Sequence, residues 1–154
     1  MAELILATPF HTNLVLRSHD DKIIACDFVA RATPKAAPKG DAVLREAASQ
    51  LRAYFAKKLV RFDLPLHFEG TPLQNDIWEY VSHLEVGELI SYGDVARVVG
   101  APGAHRAVAA AMGRSPYDLL IPAHRVVGSD GRIKGASPNS MRRRLLAFEG
   151  IYLK

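Results

Sequence analysis

The tetrapeptide Thr71-Pro72-Leu73-Gln74 separates two kinds of hydrophobic pattern, and no other feature constrains the fold as much. A threonine N-cap accepts from the backbone N–H three residues on. Proline suits the first helical position, and glutamine closes the capping box. Ile77, Trp78, Val81 and Leu84 then recur at helical spacing, the buried stripe of a helix. Before Gly70 the pattern is different. Leu4–Thr8, Leu14–Arg17 and Lys22–Val29 are short runs of branched apolar residues, read as strands punctuated by Pro9, Asn13 and a His19-Asp20-Asp21 hairpin turn. Arg31–Gly40 reads as a mobile Pro/Lys/Ala linker. Val43, Leu44, Ala47, Leu51, Tyr54 and Phe55 share one helix face, and Phe62–Phe68 is extended, with Pro65 confining it to a sheet edge.

Past the capping box the chain reads as helices. Ser91 caps a short helix through Val99 with Asp94 in its first turn, and after Gly100-Ala101-Pro102-Gly103 another runs to Met112. Two short helices across a tight Gly/Pro turn have the shape of a helix-turn-helix. Arg125–Gly128 and Arg132–Gly135 flank Ser129-Asp130-Gly131 as a hairpin wing, and Met141–Glu149 forms a last helix. The expected fold class is α+β: an N-terminal sheet-plus-helix domain over 1–69, then a helical winged helix-turn-helix domain of DNA-binding type over 70–154.

Composition narrows the function. With 49% apolar and 23% charged residues in 154, the chain has the mix of a soluble globular protein and not of a disordered one. No uncharged stretch approaches the ~20 apolar residues of a membrane span. Its N-terminus lacks a basic, cleavable leader, so the expected compartment is the cytoplasm. A single cysteine, Cys26, leaves no disulfide framework and no Cys-rich zinc site, and the six histidines show no metal-ligand spacing. Residues 1–94 carry ten Lys/Arg against thirteen Asp/Glu, residues 95–154 ten against three. That gradient suits either a polyanion-binding C-terminal face or a plain solvated basic surface.

Two segments carry candidate chemistry. The helix over 103–112 is coated with alanine. At ~10–12 Å across with side chains, an α-helix is wide for a ~6 Å minor groove, and alanine makes it as slim as a helix can be. Arg106 at its start is the candidate for insertion into a base stack; close helix–helix packing explains the alanines equally well. In Leu119–Val127, an apolar run and Pro122 deliver His124 and Arg125 next to buried backbone, which is unfavourable unless they are partnered. Glu149 is the candidate partner for His124, either as a structural bond or as the relay of a nucleophile site, except that residue 123 is an alanine. Cys26 lies in an apolar strand where a thiol is inert. Arg142-Arg143-Arg144 reads as a solvated helix face or, less directly, as a phosphate contact.

Together these residues resemble a known family. Ile121-Pro122-Ala123-His124-Arg125-Val126 is similar to the Pro-Cys-His-Arg-Val signature of the O6-alkylguanine-DNA alkyltransferases (methylated-DNA–protein-cysteine methyltransferases), with alanine where the cysteine belongs. Gly87–Ala96 resembles the segment before their recognition helix. Arg106-Ala107-Val108 with Ala110-Ala111-Met112 resembles that helix, and Thr71–Trp78 the entrance of their helical domain. Thr8-Pro9-Phe10 and Ala25–Phe28 resemble their N-terminal sheet. The resemblance implies an RNase H-like first domain and a monomer without metal or cofactor. It binds double-stranded DNA containing O6-alkylguanine, with other repair proteins as further partners. Tyr92, Arg106, Ala107, Ala110, Arg114, Ser115 and Arg125 would contact DNA, Arg106 filling the gap left by a flipped base. Tyr92, Met112, Val126 and Ser137 would line the base pocket, with His124 and Glu149 activating a nucleophile at position 123.

Three positions depart from the family: Ala123, Ser115 where asparagine is usual, and Gly135-Ala136-Ser137-Pro138-Asn139 in place of a Gly-Tyr-x-x-Gly-type loop. Without sulfur there is no transfer, because the thiolate is the nucleophile. Three differences favour a diverged lesion sensor, similar to the alkyltransferase-like proteins. The alternatives are an active stoichiometric methyltransferase whose cysteine has been exchanged for Ala123, a winged-helix regulator of undamaged DNA, and a hydrolase built on His124.

Overall fold

The computed structural model describes residues 1–132 and 140–152. The chain divides into two compact units, Met1–His67 with Pro116–Leu120, and Phe68–Ser115 with Ile121–Lys154.

The first unit is a three-stranded antiparallel sheet carrying one long helix. Strands β1 (Ala2–Ala7), β2 (Asn13–His19) and β3 (Lys22–Val29) lie in the order β1-β2-β3. Asp20 and Asp21 turn the second hairpin at φ of 49° and 60°. Left-handed conformation at both central residues gives the turn the twist of the flanking strands, and aspartate tolerates it. Leu14, Leu16 and Ser18 alternate inward along β2 and are buried with Leu4, Ile23 and Cys26. Helix α1 (Ala42–Phe55) buries Leu44, Ala47 and Leu51. Ser18 is the one hydroxyl on this buried face. It donates to the Asp41 carboxylate at 2.5 Å, which also caps α1 by accepting from the Leu44 N–H at 2.8 Å. The Arg31–Gly40 segment, expected to be mobile, is tied to β1: Ile5 and Lys35 exchange two backbone hydrogen bonds of 2.9 Å.

Both outer neighbours of β3 are short bridges. The Ile23 N–H donates to the Pro65 carbonyl at 2.8 Å, and the Ile23 carbonyl accepts from the His67 N–H at 3.0 Å. Pro65 therefore lies at an edge, as its missing N–H requires. Tyr117 bridges Cys26, and the Asp118 N–H donates to the Cys26 carbonyl at 2.7 Å. Nothing in the sequence periodicity announces that 116–120 belongs with the first unit; its five residues are too few to show one.

In the second unit, α2 (Pro72–Ser82) starts with both halves of the capping box in place: Gln74 N–H to Thr71 Oγ1 at 3.1 Å and Thr71 N–H to Gln74 Oε1 at 3.0 Å. Gly70 precedes it because a Cβ there would stand 2.6 Å from the Trp78 ring. Helices α3 (Tyr92–Val98), α4 (His105–Gly113) and α5 (Met141–Phe148) follow. Trp78 Nε1 donates to the Ala111 carbonyl at 2.9 Å and fastens α2 to α4. Strands β4 (Ile90–Ser91) and β5 (Val126–Val127) pair in parallel. The wing reading is modified here. Gly128 and Arg132 are joined across a turn at 2.8 Å, but β5 pairs with β4, and most of the expected second wing strand, 133–135, lies outside the described residues. Among the described residues no helix is long and apolar enough to cross a membrane.

Candidate functional site

Pro122 leads into one 3₁₀ turn, Ala123–Arg125, and the site is built where the end of α5 meets it. His124 and Arg125 are 2% and 1% exposed, so every polar atom they bring must find a partner. Glu149, the C-cap of α5, supplies most of them. Its Oε2 accepts from His124 Nε2 at 2.6 Å and from Arg125 Nη2 at 2.9 Å, while Oε1 accepts from Arg125 Nε at 2.9 Å. The Arg125 Nη1 donates to the Leu84 carbonyl at 2.7 Å. Guanidinium and carboxylate thus meet as a two-pronged pair, the geometry that holds such groups most rigidly.

Charge follows from these contacts. Burial works to raise the Glu149 carboxyl, but hydrogen bonds from His124 and Arg125 outweigh it and pull the group down to about 2. An ionised carboxylate only accepts, so Nε2 of His124 carries the proton and Nδ1 keeps its lone pair. Burial pushes the imidazole below its ordinary range against the opposing pull of Glu149, and the charges of Arg125 and Arg142 add to the lowering. At neutral pH the site therefore holds a neutral, oriented imidazole base with an anion behind it, the arrangement that activates a nucleophile. Its immediate neighbour is Ala123, half-buried and bearing a methyl group. The thiol of Cys26 lies in β3 of the first unit, fully buried and pushed well up by desolvation. Among the described residues no cluster of His, Cys, Asp or Glu is placed to hold a metal ion.

The other nominated residues fall into two groups. Arg106, Ala107 and Ala110 on α4 and Arg114 at its C-cap are all exposed and recur at helical spacing, while Val108, Ala111 and Met112 of α4 are buried. The alanines thus serve both readings: Ala111 packs inward, Ala107 and Ala110 leave a smooth outer stripe. Ala104 gives α4 no side-chain cap. Tyr92, Met112 and Val126 are buried, with Tyr92 opening α3 directly after the residue that pairs with Val127. Ser115 is half-buried and already engaged, and Ser137 lies outside the described residues.

Arg125 corrects the expectation made for it. Placed among the DNA contacts by the family resemblance, it is the largest fully buried side chain among the described residues, and three of its nitrogens are taken by Glu149 and Leu84. It is an internal clamp. Sequence reasoning paired Glu149 with His124 alone; Arg125 beside His124, in an apolar context, was the available signal for a shared partner. No signal pointed to the Leu84 carbonyl. Arg142, read as solvated, is half-buried and close enough to bear on His124.

Comparison with known proteins places these features in a family. The family model for the 6-O-methylguanine DNA methyltransferase DNA binding domain matches residues 72–151, and that for the ribonuclease-like domain of the same proteins matches 3–68. The chain belongs to the 6-O-methylguanine DNA methyltransferase family. It is 45% identical over 106 residues to the methylated-DNA–protein-cysteine methyltransferase of Methanosarcina barkeri, 68% of this chain and 67% of that one. To the Mycobacterium tuberculosis protein of the same name it is 42% identical over 100 residues, 65% of this chain but 61% of that relative. Among solved structures, the M. tuberculosis O6-methylguanine methyltransferase superposes with a TM-score of 0.79 at 31% identity, covering 97% of this chain and 93% of that one. The corresponding M. tuberculosis protein in complex with DNA gives 0.76 at 31% identity, covering 93% and 89%. The two-domain α+β fold expected from sequence is the fold of this family. With Cys26 as the only cysteine, this methyltransferase-family member has no thiol beside His124.

Proposed function

We propose that the protein binds duplex DNA through the exposed face of α4 in the minor groove, flips an O6-alkylated guanine toward Ala123, and transfers nothing, acting as a lesion sensor. The observation that carries this reading is an alanine, Ala123, immediately before His124 in the chain, beside a buried cluster of His124, Glu149 and Arg125 that is otherwise complete. The buried base is present; the attacking atom is not. The smooth Ala107/Ala110 stripe lets a helix approach a groove closely, and Arg106 and Arg114 add charge at its two ends. A related M. tuberculosis protein is described in complex with DNA, which supports a duplex as the partner. Flipping requires a few kcal/mol and least where pairing is already weakened, which gives a lesion its advantage over guanine.

The test is competition binding at fixed salt between two duplexes differing only in one O6-methylguanine, with the intact protein weighed afterwards. A preference for the lesion with unchanged mass is expected. Equal affinity for both duplexes, with discrimination among ordinary sequences instead, would support the regulator of undamaged DNA. The retained imidazole base also suits a second reading, an active methyltransferase whose cysteine has been exchanged. Ala123→Cys decides it. If the pocket is competent, the restored thiol gives its proton up toward His124, the sulfur attacks the methyl carbon, the bond to O6 breaks, guanine leaves with a proton, and the protein gains the mass of one CH₂, a methyl in place of the thiol hydrogen. No gain despite tight lesion binding leaves the sensor reading in place.

A further inference from the structure

The first unit carries a surface groove that the DNA-directed reading leaves unused. It runs between β1, the end of α1 and the segment around Lys35, with a volume of about 570 Å³. Leu4, Leu6, Pro9 and Phe55 supply its apolar lining, and two cations stand on it, Lys35 and Arg52. The volume is within the ~300–1,000 Å³ of clefts that bury a drug-sized molecule, enough for a few side chains. We propose that this groove docks an extended, acidic and apolar peptide segment of a partner protein.

Three observations select that occupant. The first is charge. Arg52 is exposed in the last turn of α1 and no hydrogen bond or ion pair engages its guanidinium among the described residues. Lys35 is held only loosely, with Nζ 4.0 Å from Glu3, whose carboxylate is more closely engaged by Arg17 at 3.0 Å. Two available cations beside an apolar trough complement carboxylates that alternate with apolar side chains. The second observation is backbone. Ile5 uses both its N–H and its C=O on Lys35, so it points away from β2. By the alternation of an antiparallel ladder, Glu3 and Ala7 present their peptide groups to the same outer edge of β1. Lys35 takes up this edge at Ile5, and the peptide groups of Glu3 and Ala7 on either side of it are where an extended segment can add hydrogen bonds. The third is shape. The groove is open to solvent, which suits a chain laid along it better than an enclosed small molecule. All of this lies within the first unit, so the inference stands or falls independently of the role assigned to α4.

The experiment selects 12-residue peptides from a random display library on the full chain, then measures the best binders by calorimetry against the wild type and Arg52→Glu. Because Arg52 is exposed, the variant should fold, and a thermal melt checks that. Enriched sequences are expected to carry net negative charge with spaced Leu, Ile or Phe, and Arg52→Glu should weaken them by about tenfold or more through charge reversal. Leu6→Asp, which places a like charge in the trough, should weaken the same peptides. The inference is overturned by failure to enrich any peptide, by enrichment of neutral or basic sequences, or by acidic binders indifferent to Arg52→Glu.

Discussion

Glu149→Gln is the substitution that most directly probes the buried cluster. The carboxylate accepts three hydrogen bonds, one from His124 and two from Arg125. Glutamine keeps the shape but offers one acceptor oxygen, and its NH₂ faces donors. Arg125, 1% exposed, is then left charged in the interior without a counter-ion, holding the Leu84 carbonyl and at most the one glutamine oxygen. Removing one partner of a buried ion pair destabilises by ~3–5 kcal/mol, because the surviving charge stays desolvated. With a urea dependence of about 2 kcal/mol per molar, the midpoint should fall by about 2 M. Trp78 is the chain's only tryptophan and is buried in the same unit, so its fluorescence reports unfolding of that unit alone. Adding Arg125→Met should restore part of the loss by removing the orphaned charge. A midpoint that hardly moves in Glu149→Gln, or a double variant weakened by the sum of the two single effects, would refute the picture of a coupled buried cluster.

Acid should loosen the same unit in a defined window. The His124 imidazole is depressed by burial and Glu149 sits at about 2. In both cases the unfolded chain takes up protons first, so stability is full above the unfolded values, begins to fall below about 6.5 for the histidine, and falls further from about 4.5 toward 2 for the carboxylate. Trp78 fluorescence during a pH titration at fixed urea checks it; stability that rises on acidification would contradict the assignment. Arg106→Ala should weaken binding to an O6-methylguanine duplex more than to undamaged duplex, whereas equal loss in a gel-shift titration would reduce Arg106 to a phosphate contact. Gly70→Ala should destabilise the second unit by ~1–3 kcal/mol, since the new methyl would stand 2.6 Å from the Trp78 ring and 2.7 Å from Gln74 Oε1; an unchanged melting temperature would show that the ring yields freely.

What could be read from the sequence was what depends on local chemistry. The Thr71–Gln74 capping box uses four consecutive residues, and both of its bonds are present. The β2–β3 hairpin follows from alternating apolar residues around two aspartates that accept positive φ. The alanine-coated helix followed from its own composition. What could not be read depends on contacts distant in sequence. Lys35 pins a segment that composition marks as a linker, because Ile5 has an edge to offer it. Tyr117 and Asp118 join the first unit through backbone groups of β3, and backbone groups are the same for every sequence.

Arg125 shows how such a contact changes a functional reading. The family resemblance puts Arg125 among the DNA contacts, although its apolar surroundings already call for a buried partner. In the fold the same arginine holds the carboxylate that in turn fixes the imidazole, and it reaches across to Leu84 to do so. Among the described residues the basic half therefore contains cations that face solvent on and beside α4, and also Arg125, whose charge is consumed internally to keep Glu149 ionised. A cation exposed to a polyanion contributes to the salt dependence of binding it, whereas Arg125 does not. It follows that Arg114→Ala should reduce the slope of log affinity against log salt while leaving the fold intact. A conservative change at Arg125 should instead lower stability. These two arginines, eleven positions apart in the chain, separate recognition from architecture in one experiment: if Arg125→Lys reduced the salt slope at unchanged stability, the internal clamp would be the wrong description of the site.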